Sequence, residues 1–172
     1  MIINEKYFKK YSPIPLNYDL SEIRNYIGLA EKIWVIPVIG QDLYDEIQKQ
    51  VDENSLSDEN STLLTEGGLW QYLAFATCLE SLAFIWANFS EVGITLGKSD
   101  NSESVTLKDI TYIEQNLRRQ VEVLKESLIM WLNSHSKSFP LYVPYCTSPE
   151  AMFEPNPNAQ ILTPSRYFVD LL

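Results

Sequence analysis

Residues 69–89 read LWQYLAFATCLESLAFIWANF, and this stretch decides the fold. Sixteen of its 21 positions are apolar, and only Gln71, Thr77, Glu80, Ser81 and Asn88 break the run. The apolar residues keep no helical or strand period, so every side of the segment has to be covered. Two environments can do that, a bilayer or a surrounding shell of helices. A membrane span needs about 20 mostly apolar residues. Here Glu80 would sit near the bilayer centre, where an acidic group costs roughly 2.5–3.5 kcal/mol. The flanking charges are Glu66 and Glu91, with no basic residue to set an orientation. The reading is therefore a central core helix of an all-α domain. A carboxylate on so apolar a helix needs a partner, and Arg24, Arg118 or Arg119 could supply one.

The neighbouring segments fit a shell around that helix. Proline is absent between positions 38 and 139 and common on both sides, so long helices belong in the middle. A first helix is expected from Leu20 to about Trp34, with Asp19 as N-cap, Glu22 three residues on, and a stripe of Leu20, Ile23, Ile27, Ala30 and Trp34. Pro37 should end it. Gly40 opens a second helix, Gln41 to about Val51, with Leu43, Tyr44, Ile47 and Val51 on one side. Residues 52–65, DENSLSDENSTLLT, read as a polar acidic loop, and 91–105 as a loop or short hairpin. A fourth helix runs from Thr106 to about Ser134, its inner face formed by Ile110, Leu117, Leu124 and Trp131, with Ile113, Val121 and Leu128 beside them. Gln115, Arg118, Arg119, Glu122 and Lys125 take its outer face. The expected architecture is a compact four-helix bundle-like domain over 19–138. An extended N-terminal arm, 1–18, and an extended Pro/Tyr-rich C-terminal arm, 139–172, flank it.

Composition narrows the function. The chain has 172 residues, 23 acids against 13 Lys and Arg, and a formal charge of −10. That balance argues against non-specific nucleic-acid binding, which needs a basic footprint on phosphates. Two cysteines and one histidine are too few for a thiolate zinc site or a multi-histidine metal centre. The N-terminus shows no apolar segment of a secretory signal, so Cys78 and Cys146 are expected to be reduced thiols. No phosphate-loop, dinucleotide-binding, HExxH or CxxC pattern occurs. The acidic segments lack the glycine and terminal glutamate of a calcium loop. His135 reads as an exposed imidazole near a helix C-terminus. On one helix Glu80 and Glu91 would lie about 16 Å apart, too far for a glycosidase pair. No catalytic residue, cofactor or metal is expected.

What remains is surface. Asp42, Asp45, Glu46, Asp52, Glu53, Asp58 and Glu59 form a candidate acidic channel or surface patch, with Lys49 the one basic residue among them. Tyr7, Phe8, Tyr11, Phe139, Tyr142, Tyr145, Phe153, Tyr167 and Phe168 give both arms aromatic side chains suited to contacts between subunits or with partners.

Residues 29–47, LAEKIWVIPVIGQDLYDEI, show a helix broken at Ile-Gly that restarts as a short acidic helix. Residues 69–94, LWQYLAFATCLESLAFIWANFSEVGI, end the apolar helix in an aromatic–Ser–Glu turn, and the last long helix closes with WLNSHSKSFPLY at 131–142. Taken together, Asp19 to Tyr142 resembles the head-to-tail connector (adaptor, or head-completion) proteins of tailed phages, most closely those of crAss-like phages. The resemblance implies a helical virion protein that assembles in the bacterial host cytoplasm as a homo-oligomeric ring, commonly twelve-fold, in the phage neck. It implies portal protein and tail or neck proteins as partners, passage of double-stranded DNA through the bore, no membrane and no enzymatic activity. The alternative reading is a soluble helical adaptor or regulatory binding module, with the face 110–131 and the tail forming its groove.

Overall fold

The computed structural model describes residues 1–14, 20–21, 23–90, 93–96 and 107–143. Its helices are α1 (Glu5–Tyr11), α2 (Arg24–Ala30), a π-helical turn (Glu31–Val35), α3 (Ile36–Ile39), α4 (Gln41–Asp52), α5 (Asp58–Thr65), α6 (Leu69–Trp86) and α7 (Leu107–Ser134). An antiparallel hairpin of β1 (Ala87–Ser90) and β2 (Gly93–Leu96) sits between α6 and α7, pairing Ala87 with Leu96 and Ser90 with Gly93. The domain is all-α apart from that hairpin.

Helix α6 is the hub, and α1, α2, α5 and α7 all pack on it. Leu69, Tyr72, Leu73, Ala74, Ala76 and Thr77 are fully buried. Two hydroxyls within this apolar surface are satisfied along the helix, Thr77 donating to the Leu73 carbonyl at 2.8 Å and Ser81 to the Cys78 carbonyl at 3.2 Å. No helix among the described residues is long and apolar enough to cross a membrane.

Glu80 finds a partner other than the arginines. Trp34 Nε1 donates to Glu80 Oε1 at 2.8 Å, while Arg118 pairs with Glu114 on its own helix. The indole satisfies the carboxylate with one hydrogen bond and brings its own apolar ring, which suits the edge of a core.

The segment around Pro37 continues where a break was expected. Helix α2 passes into the π turn, whose closing N–H runs from Ile36 to the Glu31 carbonyl, and then into α3 with Pro37 in its first turn. Pro37 lacks an N–H and its ring would crowd the carbonyl four residues back. One extra residue per turn relieves that conflict without ending the helix. Gly40, at φ 85°, then redirects the chain into α4.

Residues 58–65, expected as loop, form α5. Ser57 caps it by accepting the Asn60 N–H at 3.2 Å, and Asp58 and Glu59 occupy the first turn. Leu63 and Leu64, fully buried, anchor this short helix to the core. Gly67 follows it where α7 comes close. A Cβ there would stand 2.6 Å from the Leu63 carbonyl oxygen and 3.0 Å from the Trp131 ring. Gly67→Ala should therefore cost about 1–3 kcal/mol, read as a lower urea midpoint with unchanged slope.

The N-terminus also departs from the expectation. Residues 1–14 are folded onto the body and do not extend as an arm. Ile2, Ile3 and Phe8 are buried in the core, and Asn4 caps α1 by accepting the Tyr7 N–H at 3.0 Å. The first helix begins at Arg24 and not at the expected Leu20, while its expected cap residues Asp19 and Glu22 and the fourth helix's expected start at Thr106 lie outside the described residues.

In α7, Val121, Leu128, Ile129 and Leu132 are buried, while Leu117, Leu124 and Trp131 are half-buried beside them. Ile113 faces solvent, so the inner face is turned slightly from the heptad Ile110–Leu117–Leu124–Trp131. Packing of a straight helix follows a 3.6-residue period and drifts from a strict seven.

Burial leaves a mark on the titration of the core. The Cys78 thiol is pushed up from 9.0 to about 12 by burial. Burial also holds the Tyr44 and Tyr72 hydroxyls above the ordinary tyrosine range, helped by the Glu31 and Glu122 carboxylates respectively. All three groups keep their protons more tightly folded than unfolded. Their contribution is complete below the unfolded values and is lost as pH rises through the folded ones. Stability should fall progressively above about pH 9, first through Cys78. Urea titrations at pH 7, 9 and 10.5 should show the decline, and Cys78→Ala should make it shallower.

Candidate interaction surfaces

The acidic residues converge through a polar link between α4 and α5. Asn60, buried, donates from Nδ2 to Gln50 Oε1 at 2.9 Å and to Glu46 Oε1 at 3.4 Å. Gln50 Nε2 donates to Glu46 at 3.0 Å, and the Ser57 N–H to Gln50 Oε1 at 3.0 Å. This holds the start of α5 beside α4. Asp42, Asp45, Asp52, Glu53, Asp58 and Glu59 are exposed, and Glu46 is half-buried as the link's acceptor. Lys49 is the one basic side chain on α4 and α5. The described surface here is a solvated field of negative charge. No three of His, Cys, Asp and Glu among the described residues are placed to hold a metal ion.

The aromatic residues divide. Tyr7 stacks on Trp70 with ring centroids 3.9 Å apart at 20°, and Tyr11 lies tilted at 6.0 Å from the same indole. Phe8 is fully buried. Phe139 and Tyr142 are buried too, Phe139 tilted on Trp131 at 5.7 Å and the Tyr142 hydroxyl donating to Asn133 Oδ1 at 3.1 Å. These five residues make contacts within their own chain. Each has an apolar neighbour close at hand, and burying a ring locally avoids the entropy cost of an ordered free arm. Tyr145, Phe153, Tyr167 and Phe168 lie outside the described residues.

His135 is exposed at the end of α7. Its ring stacks on Trp131 at 4.2 Å, and Nδ1 lies 2.9 Å from both the Trp131 carbonyl oxygen and Ser134 Oγ. A cavity of about 220 Å³ beside it is bordered by Asp58, Glu59 and Phe139.

Two features were missed in the sequence. The first is Glu31, 3% exposed inside the π turn. Its Oε1 accepts the Ile2 N–H at 2.7 Å and its Oε2 the Tyr44 hydroxyl at 2.9 Å. Trp70 Nε1 donates to the carbonyl of the same Ile2 at 2.8 Å. The N-terminal segment is thus fastened at one residue from both sides. The signal was available, since Glu31 lies four residues after Ile27 and next to Ala30 on the apolar arc. The second is an outer stripe of α7, where Tyr112, Val123 and Met130 are 69%, 56% and 65% exposed. They share one side of the helix at intervals of 11 and 7 residues, with Asn116, Arg119 and Glu126 between them.

No curated protein and no solved structure matches the chain. A family model described as a family of unknown function (DUF6712) matches residues 35–150, from the π turn past the end of the described α7 region. The matched part contains the acidic face, the hub helix and the outer stripe of α7. The chain belongs to that family of unknown function, DUF6712.

Proposed function

We propose that this chain is a structural subunit of a tailed-phage neck. Copies of it form a ring between portal and tail, extend the DNA channel and offer tail proteins a platform. The exposed stripe Tyr112–Val123–Met130 carries the reading. It runs along a 28-residue helix, about 42 Å long. Such a stripe suits a subunit whose work is contact. The resemblance over 19–142 supports the same reading, as does the shortage of residues suited to catalysis.

The acidic face has a place in this scheme. If it lines the bore, its charges repel DNA phosphates and keep the duplex from sticking during passage. Asp42, Asp45, Asp52 and Glu53 are exposed and free to act in that way.

The test is electron microscopy of the purified full chain, alone and mixed with the portal protein from the same genome. Rings, or a collar on the portal, are the expected images. Monodisperse small particles with no portal association would favour the adaptor reading, in which the α7 stripe captures a partner's helix.

A further inference from the structure

A second outward apolar stripe lies on a different helix. Leu29 and Ile33, 39% and 47% exposed, stand one turn apart across the α2–π junction, with the exposed Lys32 between them in sequence. The opposite face of that helix, with Ile27, Ala30 and Val35, is buried. On α7, Val123 and Met130 flank the exposed Glu126, while Val121 and Leu128 are buried. Both helices pack on α6. Neither Lys32 nor Glu126 has an ion-pair partner among the described residues; the pairs there are Lys9–Glu5, Arg118–Glu114 and Lys125–Glu122.

We propose that the α7 stripe of one copy seats on the α2 stripe of a second copy of this chain, Glu126 meeting Lys32. This rests on the ring reading above and names its subunit contact. A ring closes through a heterologous contact, which requires two different complementary patches on each molecule. The two stripes meet that requirement. Each has a charge three residues after an apolar side chain, Lys32 after Leu29 and Glu126 after Val123, and the signs are opposite. Lys32 is the charge on the α2 stripe, and no exposed acid lies among the described residues of α2 and the π turn. Arg119, one turn before Val123, lies on the stripe between Tyr112 and Val123, and the proposed contact uses the Val123–Met130 end, where Glu126 is the exposed charge. Pairing α7 with itself would close at two copies and leave Leu29 and Ile33 bare. Pairing α7 with α2 covers both stripes in every copy.

The test uses the full chain in a Cys146→Ser background, with portal added where assembly requires it. The Ile33→Cys, Val123→Cys double variant, oxidised, should give a ladder of cross-linked multiples of 19.8 kDa. Each single variant should stay monomeric on the same denaturing gel. Dimers from Val123→Cys alone would show α7 packed on itself and overturn the proposal. In parallel, Lys32→Glu and Glu126→Lys should each weaken assembly by about five-fold per contact, and the double variant should restore it. Rings that form normally yet give no ladder and ignore both charge changes would overturn this interface while leaving the ring reading intact. Absence of any oligomer, with or without portal, would overturn both.

Discussion

Trp70→Ala should lower the melting temperature of the full chain by roughly 10 °C or more, and with it release the N-terminus. Trp70 is 5% exposed and does three things at once. Its ring fills the space between α6 and α1, it stacks on Tyr7, and its N–H satisfies the Ile2 carbonyl. Truncating a buried tryptophan costs about 3–5 kcal/mol for lost contacts and cavity. The lost aromatic pair adds about 0.5–1.5 kcal/mol. Against a total stability of about 5–15 kcal/mol this is a large fraction, and at this size each kcal/mol moves the midpoint by about 2–4 °C. Trp70→Phe keeps the stack and much of the volume while losing the N–H, so it should cost about 1–2 kcal/mol. Equal losses in both variants would show that the hydrogen bond, and not the packing, carries the effect. No loss in either would mean that α1 does not rest on α6 in solution.

Glu31→Ala should be nearly as damaging, through a different mechanism. It removes the acceptor for the Ile2 N–H and for the Tyr44 hydroxyl, both buried. Each orphaned donor costs about 1–3 kcal/mol, so the expected loss is about 2–6 kcal/mol. A double-mutant cycle with Tyr44→Phe separates the two parts, because the hydroxyl is then absent and only the Ile2 N–H is orphaned. Trypsin offers a second readout. Freed from Glu31, the N-terminal segment should expose Lys6, Lys9 and Lys10 to cleavage well below the global unfolding midpoint. Wild-type-like protection in Glu31→Ala would contradict the fastening role given to this carboxylate.

How much of this was legible in the sequence follows from what each element depends on. Helix α6 announces itself by composition, since a segment with apolar residues on all sides has to be surrounded. Helices α4 and α7 show their inner faces as spaced apolar residues, and Ser134 is where α7 ends in both reading and structure. Helix α5 hides because eight residues with six polar side chains carry little periodic signal. It is made by the Ser57 cap and by tertiary burial of Leu63 and Leu64. The π turn hides because a proline rule describes an ideal α-helix, and one extra residue defeats it. The N-terminus hides because lysines on both sides of Phe8 and prolines after it suggest an arm, whereas the burial of Ile2, Ile3 and Phe8 is tertiary.

The surfaces follow the same logic. The acids of α4 and α5 are evident as a charge run, although the Asn60–Gln50–Glu46 link that gathers them is tertiary. The exposed stripe of α7 could not be told from its buried face by spacing alone, because Val123 and Met130 are as apolar as Val121 and Leu128. Only the packing against α6 separates the two.

The most direct test of the account is the mass of the assembled species. Native mass spectrometry of the full chain with its cognate portal should reveal a closed set of copies, the mass of the portal assembly plus a single large multiple of 19.8 kDa, with no distribution of open intermediates. A species of 19.8 kDa at every concentration, with portal present and unbound, would contradict it.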